Sequence, residues 1–367
     1  MNIFKKVKFL FQYRLLQNGL DKKYWAVANL PDEKYRQYHQ LNVEGEIHSS
    51  KENEFKDDKQ LSFYLFFTEC FTRYLYVYEE PALIEPDFGW LINEKNKTLF
   101  SRSFPYAFDP FNSPNPYPKT LKYINPNKKI LRVDEAISIR YSWHNYYHFF
   151  IDTLAQFYLA DYLDIPKHIP VVIPAQAKDL HYVKSFINLN KQLSVRPIIW
   201  QESNEFVLVK NKTYLLKDFS FSIDAIKHTL NSFLDCSFQK DSGERKIYLK
   251  RDSAKRRSIT NHSEVEHFFL SKGYEVIDSE KMTLEDQIKT FSSASKIIGL
   301  HGAGLTNIIF RNGRRLELTE IFPEGDEPKF YEILSSLLGF MYNKILGSPL
   351  NNNGQFTLPL TKLSNCV

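Results

Sequence analysis

Apolar and polar residues form a repeating pattern over most of the chain, in which short apolar runs alternate with segments of helical spacing. A short apolar run between turn residues is typical of a buried strand, and apolar residues three and four apart indicate a helix face. Strands are predicted at 136–140, 169–173, 197–200, 206–210, 246–250, 274–277, 297–300 and 316–322. Helices are predicted at 142–163, 179–189, 223–234, 261–273, 283–293 and 305–310. This alternation predicts an α/β fold with a mainly parallel sheet.

A polar, glycine-containing stretch at residues 239–244 predicts a domain boundary. We expect an N-terminal domain over 1–238, a C-terminal domain over 239–345, and a tail over 346–367 that packs back on the N-terminal domain. Residues 22–130 carry few clear signals, apart from a proline- and asparagine-rich segment, 105–126, that predicts a long surface loop.

Helix ends are clearest in the C-terminal domain. Thr283, with Asp286 three residues later, predicts a helix start, and Gly273 is the left-handed residue expected just past a helix end. Asn261 or Ser263 is expected to cap the helix that stops at Gly273.

The segment 296–310, with the sequence KIIGLHGAGLTNIIF, is the most informative stretch of the chain. An apolar strand runs into His301, Gly302, Ala303 and Gly304, and a short helix follows. A strand that turns through glycines into a helix directs backbone N–H groups and the positive end of a helix dipole at one point, which is a binding site for phosphate. The alternative is a tight packing turn that binds no ligand.

A basic loop at 250–257 follows one predicted strand directly and contains Arg251, Arg256 and Arg257. In open parallel sheets, ligands bind beyond the carboxyl ends of the strands, so this loop and the glycine turn are expected at the same sheet edge. The planar arginine fork matches phosphate oxygens. Together they favour a diphosphate site over a solvated basic loop.

Two carboxylates near the end of the following strand are candidates for the acceptor of ribose hydroxyls. Glu320 lies about where that carboxylate belongs in a nucleotide-binding βαβ unit, and Glu317 is the competing candidate. Each could instead be an ordinary surface carboxylate.

His148 and Asp152 are four residues apart near the start of a predicted helix, so their side chains share one face. Such a pair can share one ligand or one proton, and histidine titrates near neutral pH. Trp143 and His144 precede the pair closely. The alternative is a histidine that only donates a structural hydrogen bond.

Charge and cysteine content narrow the function classes. The chain has 48 Lys and Arg against 43 Asp and Glu, a net charge of +5, which is well short of a nucleic-acid-binding signature. Its 3 cysteines are far apart and form no C-x-x-C pair, which argues against a disulfide framework or zinc site. No D-x-D pair is present to hold a diphosphate-bound metal, and we expect no metal or other cofactor.

The N-terminal segment 1–17 combines apolar residues on one helical face with surrounding lysines and an arginine. One interpretation is an amphipathic helix on the anionic inner surface of a membrane, and the other is an ordinary first helix packed on its domain. No stretch approaches the length of a membrane span, so the expected location is the cytoplasm.

Two sets of residues resemble glycosyltransferase family 61. The resemblance covers about 144–323 and is most specific over 245–322. In the C-terminal half it is carried by Tyr248, Leu249, Lys250, Arg251, Arg256, Arg257, Ser258, Ile259, Asn261, Gln287, Leu300, His301, Gly302, Ala303, Gly304, Leu305, Thr306, Asn307, Phe310 and Glu320. In the N-terminal half it is carried by Asn145, Tyr146, Tyr147, His148, Asp152, Thr153 and Leu154.

This resemblance implies a GT-B architecture, in which two Rossmann-like domains face each other across a cleft and the C-terminal one holds a nucleotide sugar. It implies inverting, metal-independent transfer to a glycan or lipid-linked glycan, as in bacterial capsule or lipopolysaccharide synthesis. Residues 251, 256, 257, 261, 301–307 and 320 would then bind the donor, with UDP as the family expectation. His148 or Asp152 would be the base, and Trp143, His144 and Asn145 would contact the acceptor. Phe149, where many relatives carry Trp, and Asp152, where Glu is also common, depart from the family pattern.

Three alternatives stay open on the sequence. A sugar-nucleotide epimerase or hydrolase of the same fold would use the same donor without an acceptor. A nicotinamide-dependent oxidoreductase shares the strand–glycine–helix–strand–Glu order, although Asn307 replaces its third glycine and the helix is short. An assembly protein could bind nucleotide for regulation only.

Overall fold

The computed structural model describes twelve segments of the chain. They are residues 27–28, 35–41, 73–95, 99–100, 118–139, 143–162, 164–189, 196–217, 223–233, 244–251, 257–311 and 313–364. Arg256, the N-terminal segment 1–17 and most of the loop predicted at 105–126 lie outside them.

The chain forms two compact units that interleave along the sequence. The first unit consists of Met1–Trp143, Ala155–Leu180 and Gln192–Ser220, and the second of His144–Leu154, His181–Lys191 and Phe221–Val367. This division differs from a single boundary at residue 238, because the apolar faces of 144–154 and 181–191 pack within the second unit. The tail 346–367 also belongs to the second unit and not to the N-terminal one.

The first unit is built on a mixed sheet of ten strands among the described residues. Its strands are β1 Val27–Ala28, β2 Tyr35–Leu41, β3 Arg73–Tyr78, β4 Ala82–Ile84, β5 Leu91–Asn93, β6 Leu99–Phe100, β7 Lys129–Ser138, β8 Val171–Pro174, β9 Ile198–Gln201 and β10 Glu205–Lys217. The order is β1-β6-β5-β4-β10-β7-β8-β9, and β3 pairs with both β10 and β2. The predicted strands β7 to β10 pair in parallel, whereas β3, β4 and β5 add antiparallel pairs from the part of the sequence with few signals.

The core of the first unit lies on this sheet because its central strands are nearly continuous runs of apolar residues, as expected for strands covered on both faces. Val207, Val209, Ala136 and Val172 pack in one buried cluster. Short helices flank the sheet, namely α1 Thr120–Ile124, most of α3 Leu154–Tyr162 and a 3₁₀ turn at Ala175–Asp179.

The second unit contains a five-stranded sheet that is parallel throughout. Its strands are β11 Arg245–Leu249, β13 Glu275–Ile277, β14 Ala294–Leu300, β15 Glu317–Glu324 and β16 Met341–Pro349, in the order β13-β11-β14-β15-β16. A separate pair joins β12 Ser258–Ile259 to β17 Gln355–Phe356. The α/β prediction is confirmed, and the last two strands lie where the sequence indicated only an irregular tail.

Helices surround the second sheet and follow the predicted rhythm. They are α2 Tyr146–His148, α4 His181–Leu189, α5 Ile223–Phe233, α6 His262–Ser271, α7 Leu284–Ser292, α8 Phe330–Leu338 and α9 Leu360–Leu363. The Thr283 side chain accepts a hydrogen bond from the Asp286 N–H at 3.1 Å, which is the predicted cap of α7. Gly273 has a φ of 77°, as expected for a left-handed residue after a helix. No described helix has both the length and the apolar character that a membrane crossing requires.

Candidate functional site

Arg251, the first arginine of the predicted basic loop, meets the glycine turn at the carboxyl edge of the five-stranded sheet. Arg251 lies two residues beyond β11, and His301 and Gly302 follow the adjacent parallel strand β14. Arg251 donates a hydrogen bond from Nη1 to the backbone oxygen of His301 at 2.5 Å. The guanidinium group therefore lies directly against the turn.

The two glycines of the turn make room for protein atoms. A Cβ on Gly302 would lie 2.7 Å from Arg251 Nη1, so glycine at this position admits the guanidinium group. A Cβ on Gly304 would lie 2.9 Å from Ser279 Oγ and 3.2 Å from a methyl group of Leu249. Gly304 is therefore required by packing on β11, which is the role expected of a packing turn, while Gly302 serves the arginine.

The helix after the turn is a 3₁₀ helix over Ala303–Arg311, longer than the short helix predicted at 305–310. Leu305 and Thr306 are fully buried, backbone included, so neither is open to a ligand in this structure, whereas Gly302, Ala303 and Gly304 are partly exposed. The Tyr331 hydroxyl donates to the Gly302 oxygen at 2.7 Å and lies 3.2 Å from Thr306 Oγ1. These contacts hold the start of the helix, where the first N–H groups have no partner within the helix.

Arg251 is half-buried, and the positively charged side chain of Arg257 lies close enough to repel it. Burial lowers the pKa of Arg251, and the neighbouring Arg257 lowers it further, while Glu280 and Tyr331 act in the opposite direction. Because arginine stays protonated in proteins, the cost appears as unfavourable free energy of the charged group. An anion bound between the turn and Arg251 would relieve both the burial and the repulsion.

Asn307 connects this turn to the segment that carries the predicted base. Its side chain is fully buried; Oδ1 accepts from the Tyr146 hydroxyl at 2.7 Å, and Nδ2 donates to Gln287 Oε1 at 2.9 Å and Gly304 O at 3.0 Å. Burial raises the pKa of Tyr146, which keeps its hydroxyl protonated as a donor. Asn307 was predicted to bind the donor, and the structure gives its side chain this connecting position.

The helical segment that follows Trp143 begins with a side-chain cap. Asn145 Oδ1 accepts from the N–H groups of Tyr147 at 3.0 Å and His148 at 3.3 Å, so its side chain serves the helix start. Trp143 is buried in the first unit and packs edge-on against Phe157, while His144 is exposed. Of the three residues predicted to contact an acceptor, His144 and Asn145 are exposed and Trp143 is buried.

His148 and Asp152 form the predicted pair. His148 Nδ1 lies 2.5 Å from Asp152 Oδ2, and Asp152 is part of a π-helical turn, Phe149–Thr153. Such turns are rare and frequently occur at functional sites. Burial raises the pKa of Asp152 to about 6, and its hydrogen bond with His148 offsets part of that effect. The His148 side chain is 29% exposed and the Asp152 side chain 5%, so the imidazole is the group that reaches outward.

A second histidine–carboxylate pair lies under the glycine turn. His301 Nδ1 is 2.5 Å from Glu320 Oε1, and the Tyr342 hydroxyl donates to Glu320 Oε2 at 2.8 Å. Glu320 was predicted to accept ribose hydroxyls, but it is completely buried. The sequence alone does not predict the burial of Glu320, because its contacts depend on how β14, β15 and β16 align.

Aromatic rings connect the two pairs within the second unit. Tyr147, beside His148, contacts the rings of Phe330 and Tyr331 at centroid distances of 5.6 and 5.7 Å. The His301 ring stacks on Phe322 at 5.3 Å and contacts Tyr331 at 5.6 Å. Tyr331 thus contacts both the residue next to His148 and His301 itself. Sequence reasoning missed Tyr331 and Tyr342, since no local pattern distinguishes them from other tyrosines.

Two other predicted donor ligands have protein partners. Arg257 forms a two-point ion pair with Asp326, with both nitrogen–oxygen distances at 2.7 Å. Asn261 stands at the N-cap position of α6 without capping it, and its amide instead exchanges hydrogen bonds with the backbone of Leu358 at 3.0 and 3.1 Å. Among the predicted arginines that the structure describes, Arg251 is the one in contact with the turn.

Comparison with known proteins places these residues in a family. Residues 146–316 match the family described as Glycosyltransferase 61. This segment is similar to a glycosyltransferase 61 domain. That span includes His148, Asp152, Arg251 and the turn at 301–304, and the resemblance noted in the sequence is confirmed. The chain is therefore a glycosyltransferase.

Other comparisons add little to this assignment. A search of curated proteins found no match to the chain. The E. coli heptosyltransferase WaaC, solved with ADP, is similar at 14% identity and a TM-score of 0.27, over 64% of this chain and 96% of that chain. A TM-score that low supports no conclusion about this glycosyltransferase.

Within the described part of the glycosyltransferase, no group of three or more His, Cys, Asp or Glu side chains is arranged to hold a metal ion. At the sheet edge lie the Arg251 guanidinium group and the His301–Glu320 pair. The His148–Asp152 pair lies on the helical segment that contacts Asn307 through Tyr146.

Proposed function

We propose that the chain is an inverting glycosyltransferase of GT-B architecture that transfers a sugar from a nucleoside diphosphate sugar to a glycan or lipid-linked glycan. The observation that carries the proposal is the contact between Arg251 and the His301–Gly302 turn, at the start of a helix. A guanidinium group and a helix N-terminus together favour a doubly charged phosphate group. By family expectation the nucleotide is UDP and the setting is bacterial capsule or lipopolysaccharide synthesis.

In the proposed reaction, His148 is the general base. The acceptor hydroxyl attacks the anomeric carbon, and the new carbon–oxygen bond forms as the bond to the diphosphate oxygen breaks, with inversion. The hydroxyl proton passes to His148, whose ring Asp152 orients through Nδ1. The exposure of His148 and the burial of Asp152 support this division of roles.

The diphosphate leaves as an anion that needs no proton if its charge is stabilised. Arg251 and the first N–H groups of the 3₁₀ helix would carry that charge without a metal ion. Such preorganised groups act most strongly where water is excluded, and removing one contact costs about 10²-fold or more in turnover.

Transfer itself is testable with nucleotide sugars and a panel of glycan acceptors. Mass spectrometry is expected to find an acceptor heavier by one sugar residue, NMR an inverted anomeric configuration, and EDTA no loss of rate. Donor consumption without an acceptor product would instead favour a hydrolase or epimerase, and a rate lost with EDTA and restored by Mg²⁺ or Mn²⁺ would refute metal independence.

Arg251→Ala tests the leaving-group role against a matched arginine. Arg245 lies at the opposite end of the same strand, where it pairs with Glu275, so Arg245→Ala is the control. Turnover is expected to fall about 10²-fold or more for Arg251→Ala and to stay near the wild-type value for Arg245→Ala. Equal turnover in the two variants would exclude Arg251 from the reaction.

The proposed location is the cytoplasmic face of a membrane, with residues 1–17 as a peripheral contact. Their lysines among apolar residues support this proposal. Full-length protein is expected to bind anionic vesicles more weakly as salt increases, and a chain that lacks residues 1–17 is expected to lose that binding. Equal binding by the shortened chain would refute the contact.

A further inference from the structure

The Glu320 carboxylate is too enclosed to bind a ribose. Its side chain has no exposed surface, and each oxygen has a partner in the protein, since Oε1 contacts His301 and Oε2 accepts from Tyr342. A ribose hydroxyl would have to displace one of these hydrogen bonds inside the core. The arrangement instead resembles a carboxylate that fixes the orientation of a histidine ring.

The His301 ring is held on several sides but keeps one nitrogen for another partner. It stacks with Phe322 and with Phe330, at centroid distances of 5.3 and 6.4 Å, and 9% of the side chain remains exposed. Among the described residues, the contact with Glu320 is the one hydrogen bond that this ring makes, and it occupies Nδ1. Nε2 therefore belongs to a side chain that is about nine-tenths buried, and it has no hydrogen-bond partner among the described residues.

The same residue belongs to the anion site through its backbone. The His301 oxygen accepts from Arg251, and the next residue, Gly302, precedes the 3₁₀ helix. A phosphate held by Arg251 and the helix start is thus bound beside the residue whose Nε2 lacks a partner.

We propose that protonated His301 binds the departing diphosphate through Nε2–H, with Glu320 and Tyr342 as positioning residues that hold the ring. This inference rests on the proposed donor site and assigns to Glu320 a role different from ribose binding. The histidine forms a charge-assisted hydrogen bond with a phosphate oxygen, and no covalent bond to the protein is made or broken.

Charged and titratable groups surround the His301 ring. Glu320 on β15 and Arg251 contact the residue, and Tyr331 and Glu332 on α8 and Tyr342 on β16 complete the titratable surroundings. Burial raises the pKa of Glu320, and the hydrogen bonds from His301 and Tyr342 lower it in part. Because the cationic ring is the form that binds phosphate, diphosphate affinity should fall as pH rises.

Calorimetric titration of the full chain with UDP between pH 6 and 9 tests the proposal. Wild-type affinity is expected to fall about tenfold across this range, as loss of one charge-assisted hydrogen bond implies. His301→Gln should bind about tenfold more weakly at pH 6 and lack this component, so its profile also corrects for titration of UDP itself. Glu320→Gln should weaken UDP binding at pH 6, because the ring loses the carboxylate that orients Nε2, and Tyr342→Phe should weaken it less.

Glu324→Gln is the matched control, because Glu324 is an exposed carboxylate on the same strand. Its profile should coincide with the wild type. A Glu320→Gln profile equal to the wild type, or full affinity in His301→Gln, would overturn the proposal. Should thermal unfolding show that Glu320→Gln does not fold, wild-type UDP affinity in Tyr342→Phe would overturn the proposal instead.

A second readout separates this inference from the donor site. The ring nitrogen NMR signals of His301 without ligand are expected to differ between Glu320→Gln and the wild type, because Nδ1 loses its carboxylate partner. Equal signals would refute the positioning role whatever UDP does. If UDP fails to bind the wild type while the signals differ as expected, the donor site fails, and the diphosphate role of His301 fails with it.

Discussion

The second unit contains two histidine–carboxylate pairs with the same contact and different surroundings. In both, Nδ1 lies 2.5 Å from a carboxylate oxygen, in His148 with Asp152 and in His301 with Glu320. The first histidine side chain is 29% exposed and the second 9%. The difference shows how burial divides one chemical unit into two roles: an outward imidazole can exchange a proton with a substrate hydroxyl, and an enclosed one is suited to holding an anion.

The two pairs also differ in how the chain assembles them. His148 and Asp152 meet through one π-helical turn, so four residues of sequence are sufficient. His301 and Glu320 meet across adjacent parallel strands, and the His301 N–H extends that ladder by donating to Ile321. Disturbing the first pair is therefore a local change, whereas disturbing the second alters the sheet edge that carries the turn.

The largest expected effect is the loss of the outward histidine. His148→Gln should lower turnover about 10²- to 10⁴-fold, the range for a general base, while UDP affinity stays at the wild-type value. His267→Gln, an exposed histidine on α6, is the control and should keep full turnover. Unchanged turnover in His148→Gln would move the base elsewhere.

Asp152, the buried partner of His148, should make the free energy of unfolding depend on pH. A folded-state pKa of about 6 in Asp152, above its unfolded value, means that the protonated acid favours folding. The contribution is fully present below about pH 4 and is lost as pH rises through about 6. Relative to Asp152→Asn, the wild type should lose on the order of 3 kcal/mol between pH 4 and 7. Denaturant unfolding of both proteins measures this, and parallel profiles would contradict it.

The Asp152 carboxylate should also determine how turnover falls at acidic pH. Protonation of Asp152 below about pH 6 removes the group that orients His148, so turnover should fall there while UDP affinity rises. Opposite pH trends for the two pairs would confirm their division of roles. Turnover and UDP affinity that change together with pH would contradict it.

Substitution of the two turn glycines should have smaller effects, on UDP binding for Gly302 and on stability for Gly304. Gly302→Ala places a methyl group against the end of the flexible Arg251 side chain, so it should weaken UDP binding about tenfold at little cost in stability. Gly304→Ala meets Ser279 and Leu249, so it should cost about 1–3 kcal/mol of unfolding free energy as overpacking. Calorimetry and denaturant unfolding separate the two variants, and the reverse assignment would show that Gly302 is the packing glycine.

The smallest expected effect concerns the connection between the pairs. Tyr146→Phe keeps the ring contacts with Phe150 and Tyr182 but removes the donor to Asn307. It should cost about 1 kcal/mol of stability and lower turnover more than UDP affinity, because the helix that carries His148 is loosened from the turn. Reduced UDP affinity with normal turnover would indicate that Asn307 serves the donor instead.

The sequence predicted what local patterns determine. The strand–glycine–helix order at 296–310, the Thr283 cap and the spacing of His148 and Asp152 all follow from neighbours in the chain. It could not choose between Arg251 and Arg257, because the partner that engages Arg257 is Asp326, almost seventy residues away.

Long-range register accounts for the rest. Glu320 reaches His301 because β15 aligns with β14, and Tyr342 reaches Glu320 because β16 aligns with β15. Likewise, the segment 144–154 packs in the second unit through Tyr146 on Asn307 and Phe150 on Phe310. Neither contact is visible in the spacing of residues along the sequence. The predicted domains therefore follow chain order, whereas the two units of the structure interleave.

The most direct test of the donor site compares ligands that differ only in phosphate. Uridine, UMP and UDP are titrated into the wild type and Arg251→Ala, with Arg245→Ala as control. The wild type and the control should bind UDP far more tightly than uridine, and Arg251→Ala should lose about tenfold or more of that preference while its uridine affinity is unchanged. A preference for UDP over uridine that survives Arg251→Ala intact would contradict the account.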